Sequence, residues 1–174
     1  TKGGATDNSG SGGCTFSSTA TIVNSGSGRL TLGGTNPDIF NGNLTLSSTG
    51  SSLIQVAHTS SSNEFNGNIV LNSTGTSQGV KFGQNGGTAT LASTKTVTIG
   101  GSGFSSGELA FRGFTQNGST AQSMTSFSGS TSLIFETGTV FNGNATFSCP
   151  RLFLNGATFN GSATLTKNGT SSDA

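Results

Sequence analysis

Apolar residues along this chain come in short alternating runs, separated by stretches of small and polar residues. Four of these runs follow the same triplet: Phe40-Asn41-Gly42, Phe65-Asn66-Gly67, Phe141-Asn142-Gly143 and Phe159-Asn160-Gly161. The runs are Asn43-Leu44-Thr45-Leu46, Asn68-Ile69-Val70-Leu71, Asn144-Ala145-Thr146-Phe147 and Ser162-Ala163-Thr164-Leu165. A degenerate fifth copy, Phe16-Ser17-Ser18, leads into Ala20-Thr21-Ile22. The alternation has the period of two that a half-buried strand requires. Asn-Gly is suited to positive φ, so it predicts a tight corner, with the preceding Phe turned into the core.

Spacing decides between two architectures. Asn-Gly between strands can close a β-hairpin, which would make a sandwich or meander. Against this, Phe16, Phe40 and Phe65 recur at a period of roughly 24–25 residues, and strand-built periods of that length mark solenoids. Each interval also holds two strand signals. The expected fold is therefore an all-β parallel β-helix with coils of about 18–25 residues. Between Phe65 and Phe141 the marker lapses while strands continue at Thr88–Leu91, Thr96–Ile99, Glu108–Phe111, Met124–Phe127 and Leu133–Phe135. Some seven coils stacked at about 4.8 Å would give a rod about 30–35 Å long.

The two ends read as one segment displaced by about 165 residues, as in a tandem array, the alternative being chance similarity of two low-complexity tails. Residues 1–9 begin Thr1-Lys2-Gly3-Gly4 and reach Asp7; residues 166–174 begin Thr166-Lys167-Asn168-Gly169 and reach Asp173. The whole chain is thus expected to be a single solenoid unit, one tandem repeat plus a short overlap. The chain does not begin with Met and shows no signal peptide, so it reads as a piece of something longer.

Composition sharpens this picture. Gly, Ser, Thr and Asn supply well over half of the residues, charged residues only 7%, and Trp and Tyr are absent. That bias would suit a disordered linker, but 13 Phe and the aliphatic residues fall periodically. The net charge of +1 and the scattered basic residues offer no nucleic-acid surface. No apolar stretch approaches a membrane span.

Three stretches together resemble the repeat unit of very large, tandemly repetitive surface proteins of bacteria. They are Phe65-Asn66-Gly67-Asn68-Ile69-Val70-Leu71-Asn72-Ser73-Thr74-Gly75, Phe82-Gly83-Gln84-Asn85-Gly86-Gly87-Thr88-Ala89-Thr90-Leu91-Ala92 and Thr98-Ile99-Gly100-Gly101-Ser102-Gly103-Phe104. The resemblance spans nearly the whole chain. It implies a secreted, cell-surface or adhesin-like molecule and supplies no catalytic residues. Cys14 and Phe16-Ser17-Ser18 depart from it, where Asn-Thr-Phe-Asn-Gly is expected.

Candidate chemistry is sparse. His58 is the only histidine, and the acids (Asp7, Asp38, Glu64, Glu108, Glu136, Asp173) are scattered. Glu108 and Glu136, with Arg112 near, come closest to a glycosidase pair, but salt bridging explains them as well. A calcium β-roll needs dense Gly/Asp repeats that three Asp cannot supply. No enzyme, cofactor or metal site is expected. Thr-x-Thr pairs at Thr19-Thr21, Thr88-Thr90, Thr94-Thr96-Thr98 and Thr164-Thr166 are outward strand residues that could form a carbohydrate- or ice-binding face. The Asn-x-Ser/Thr sequons follow from composition.

The leading expectation is a structural extracellular protein, a bacterial surface shaft, stalk or filament unit joined head to tail to copies of itself, as covalent tandem repeats or as subunits, with surface glycans as a further partner. Neither end shows a helix, Pro-rich cap or charged plug to cover its strand edges. Cys14 and Cys149 lie about 135 residues apart, and in a stack of coils that is too far for a bridge within the unit. Counted into a following repeat they are about 30 residues apart, so a disulfide across the junction is one reading and two separate buried thiols the other.

Overall fold

A computed structural model describes residues 1–170; Ser171 to Ala174 lie outside the described residues, and with them the last part of the overlap between the two ends. The described chain contains no helix and winds as a parallel β-solenoid. Each coil lays one strand on each of three faces.

The first face carries β1 (Asn8–Ser9), β4 (Leu30–Thr31), β7 (Leu53–Val56), β10 (Gly79–Phe82), β13 (Glu108–Phe111), β16 (Ser132–Glu136) and β19 (Arg151–Asn155). On the second face lie β2 (Thr15–Phe16), β5 (Ile39–Phe40), β8 (Asn63–Phe65), β11 (Ala89–Leu91), β14 (Phe114–Gln116), β17 (Val140–Phe141) and β20 (Thr158–Phe159). The third face is split between β3 (Ala20–Asn24), β6 (Leu44–Ser48), β9 (Ile69–Ser73) and β12 (Val97–Phe104), and then β15 (Gln122–Met124), β18 (Ala145–Cys149) and β21 (Ala163–Lys167). Six turns separate Phe16 from Phe159.

Register stacks like upon like. On the first face Leu30, Ile54, Val80, Leu109, Leu133 and Leu152 form one inward column. The third face stacks Ile22, Leu46, Leu71 and Ile99, then Met124, Phe147 and Leu165. These columns are the core, and residues in the middle coils are fully buried. The hairpin alternative fails because every strand pairing is parallel.

The second face is the strand that periodicity revealed only once, at Ala89–Leu91. With two or three residues per strand, it has little alternation to detect. The markers supply it: Phe16, Phe40, Phe65, Leu91, Gln116, Phe141 and Phe159 occupy one column. Phe16 stacks on Phe40 with ring centroids 4.6 Å apart, Phe40 on Phe65 at 5.4 Å, and Phe141 on Phe159 at 5.7 Å. Phe40, Phe65 and Phe141 are buried, whereas Phe159, in the last coil, is half-buried. Where the marker lapses, Gln116-Asn117-Gly118 holds its place with Gln for Phe. Phe114, two residues earlier, bridges the aromatic gap at 6.4 Å from Phe65 and 6.1 Å from Phe141.

The glycine of the marker is needed for a different reason from the expected one. Gly42, Gly67, Gly143 and Gly161 do not adopt positive φ, and neither do Asn41, Asn66, Asn142 and Asn160. Instead the coil beneath leaves no space. A Cβ on Gly42 would lie 2.3 Å from the Ser18 carbonyl carbon, one on Gly67 2.2 Å from the Gly42 oxygen. On Gly143 it would lie 2.2 Å from the Thr120 oxygen, and on Gly161 2.6 Å from Gly143. The asparagines link coils: Asn66 Nδ2 donates to Asn41 Oδ1 (3.1 Å), Asn160 Nδ2 to Asn142 Oδ1 (2.6 Å), and Asn142 Nδ2 to the Gln116 carbonyl (2.7 Å). The residue after two of these glycines does the same through its backbone, Asn68 N–H donating to Asn43 Oδ1 and Ser162 N–H to Asn144 Oδ1.

Candidate functional site

The most distinctive surfaces are the two ends of the solenoid. At the C-terminal end β19, β20 and β21 each pair on one side only. The inward columns surface there: Leu152, Phe159 and Leu165 are half-buried, and Leu154 is 55% exposed, the one large apolar side chain so exposed among the described residues. At the N-terminal end Phe16, Ala20, Ile22, Leu30 and Leu32 are likewise only partly covered. The chemistry of the two edges matches. On the third face Ala163 and Leu165 stand at one end, and Ala20 and Ile22 at the other, in the same two inward columns.

One expectation about the ends is corrected. Lys2 is a charged plug at one corner of the N-terminal end. It bridges Asn24 in parallel, is 9% exposed, and lies over the inward column that Asn24 and Ser48 occupy. Its ammonium donates to the Gly4 carbonyl (2.8 Å) and to the Gly28 carbonyl in the coil above (2.7 Å). The stem of a lysine can cover apolar surface while its head finds oxygen acceptors, and carbonyl groups at the corner supply them.

His58 sits at the corner between the first and second faces. It borders a cleft of about 390 Å³ lined also by Ser9, Thr31, Gly34, Thr35 and Thr59. Its Nε2 lies 2.8 Å from Asn85 Nδ2, an arrangement that suits a neutral ring accepting from the amide. Desolvation, followed by the positive charge of Arg29, lowers its pKa from the ordinary value. The cleft offers hydroxyls and backbone groups to a polar ligand, but no carboxylate lines it.

The acids fall into structural pairings. Glu108 Oε2 lies 2.5 Å from Lys81 Nζ, and Glu136 pairs with Arg112 at 3.9 Å and accepts from Gln84. Glu108 pairs with Ser132 at the start of β16 and Glu136 ends that strand, so about 13 Å of strand separates them. Asp38, which sequence reasoning passed over, is buried. Its Oδ1 accepts from Cys14 N–H (2.9 Å) and its Oδ2 from Gly33 N–H (2.8 Å), while its own N–H donates to Asn63 Oδ1 (2.8 Å). Its position two residues before a marker Phe was the available signal. Among the described residues no cluster of His, Cys, Asp and Glu could hold a metal.

Cys14 is exposed at the corner that leads into the second face. Cys149 is buried at the end of the third face, its sulfur near the Thr131 carbonyl and hydroxyl. The two thus stand at different corners of the cross-section. The threonine pairs do not share one face. Thr90 lies on the second, and Thr21, Thr45, Thr98, Thr146 and Thr164 on the third, where Val70 and Ser123 interrupt them.

No family model, curated protein or solved structure matches the chain. Among the described residues no helix is long and apolar enough to cross a membrane.

Proposed function

We propose that the protein is structural: a rigid segment of an extracellular β-solenoid shaft, lengthened by stacking end to end on further copies of the same unit. The observation that carries this reading is the pair of open ends. Each terminal coil keeps its strand geometry, leaves its outer edge unpaired, and presents half-exposed inward columns of matching size. Unpaired strand edges are templates for further pairing, and proteins that stay monomeric blunt them. The resemblance of the repeat to large bacterial surface proteins supports the extracellular and adhesin-shaft part of the reading.

Sedimentation velocity over a concentration series, with electron microscopy of the same samples, tests it. Rods that lengthen with concentration are expected, and Leu154→Lys should suppress them by placing a charge in the end surface. A native chain that stays monomeric up to its solubility limit would refute the proposal. The hydroxyl-lined cleft beside His58 favours a secondary role in binding surface glycans. Calorimetric titration with neutral oligosaccharides, against a His58→Ala control, checks that role.

A further inference from the structure

The lysines at the two ends are in the same local conformation. Lys2 Nζ donates to the carbonyl two residues on, Gly4, at 2.8 Å; Lys167 Nζ donates to the carbonyl two residues on, Gly169, at 2.9 Å. Both lie in line with the last inward position of the third face, Lys2 beside Asn24 and Lys167 beside Cys149. They differ in what lies beyond. The ammonium of Lys2 also reaches the Gly28 carbonyl of the next coil, and the residue is buried. Lys167 is exposed. Around Lys2 the pairing is complete, since its N–H donates to the Val23 carbonyl and its carbonyl accepts from Ser25 and Gly26.

We infer that Lys167 is a junction hook. Where two copies stack, the segment Thr166–Gly169 of one takes the place that Thr1–Gly4 holds in the other, and Lys167 Nζ donates to the Gly28 carbonyl of that second copy. The inference rests on the end-to-end reading and specifies its contact. Continuity of the strands supports it: β21 reads Ala163-Thr164-Leu165-Thr166-Lys167 and β3 reads Ala20-Thr21-Ile22-Val23-Asn24. With Lys167 in the place of Lys2, it would stand beside Asn24 of the second copy, setting Ala163 over Ala20 and Leu165 over Ile22. The resident Lys2 segment and the incoming Lys167 segment compete for one position, so the two lysines act in opposite directions on association.

That opposition is the test, made on the 174-residue chain by sedimentation equilibrium. Lys167→Met removes the incoming hydrogen bond to a carbonyl and should weaken association about tenfold. Lys2→Met loosens the resident segment and leaves the Gly28 carbonyl with the Asn24 amide as its remaining donor, and should strengthen association about tenfold. In the native chain, acetylation of Lys167 by an amine reagent should slow on assembly while that of Lys95 stays unchanged. This readout stands even if a variant misfolds. Two variants that associate like the native chain, with Lys167 equally reactive at all concentrations, would overturn the hook. If Leu154→Lys still abolished association in that case, the end-to-end reading would survive. A native chain that stays monomeric up to its solubility limit would overturn both.

Discussion

Gly67 has less room for a methyl group than any torsion-angle argument would reveal. Its α-carbon faces the Gly42 carbonyl of the coil below, and a Cβ would sit 2.2 Å from that oxygen. Gly67→Ala must push two coils apart and is expected to cost about 1–3 kcal/mol or more in urea unfolding. Gly101→Ala, where nothing lies within 4 Å, should stay within about 0.5 kcal/mol. The triplet was therefore legible as a marker, but its cause was not, because close approach between coils is a property of the stack and leaves no trace within one coil. The same holds for Gln116, which occupies a Phe position and so hid one copy of the marker. It is fully buried because its amide serves the Thr120 carbonyl and accepts from Gly143 N–H. His58 gives a pH prediction at this scale. Its pKa is lowered in the folded chain, so the unfolded chain takes up the proton first as pH falls. The stability it supports is present above pH about 6.5 and is lost as pH falls through the lower folded value. Thermal melts from pH 8 to 5 should show this decline in the native chain and a smaller one in His58→Gln.

Strands on the first and third faces could be read from alternation; those on the second, apart from Ala89–Leu91, could not, being as short as Ile39–Phe40. Corner length was equally hidden. One residue, Pro150, separates β18 from β19, whereas five separate β3 from β4. Two residues separate β19 from β20, whereas six separate β7 from β8. Together the two short corners cut the last full turn to 18 residues against 25 earlier, without moving any inward column out of line. The irregular element is β12. Ile99 pairs with Leu71 and Phe104 with Ser73, so five steps on one strand match two on the other, and three residues bulge out. The third face divides into its two sheets just beyond this point. Excising Gly101–Gly103 would restore one-to-one pairing. The excised chain is expected to keep the native far-UV spectrum and to melt within a few degrees of the native chain. Loss of the cooperative transition would mean that the bulge is required to seat Phe104 against Phe127, whose rings lie 5.3 Å apart.

At the scale of the molecule, each coil bonds almost entirely to the coils above and below, with Gln84 and Glu136 reaching across two turns. The bonds between coils join residues such as Asn43 and Asn68 or Asn144 and Ser162, one turn apart. Apart from the Lys2 plug, the ends differ from the middle in lacking a neighbour on one side, which is why their columns are half-covered. Stability in such a stack is a sum of coil and neighbour terms. That arrangement also stores length. Folded, a coil occupies about 4.8 Å of the axis; drawn out, its 25 residues reach about 80–90 Å. A solenoid pulled from its ends would therefore yield by paying out coils one after another, each releasing many times its folded height while the remainder stays wound. Single-molecule stretching should record increments of about 80 Å for the 25-residue coils and about 55 Å for the 18-residue coil between Phe141 and Phe159. One abrupt release of the whole length would mean that the coils yield together. Under load the corner spacing that sets the coil length would act as a reel, and a tether built this way would absorb a tug and lengthen before it let go.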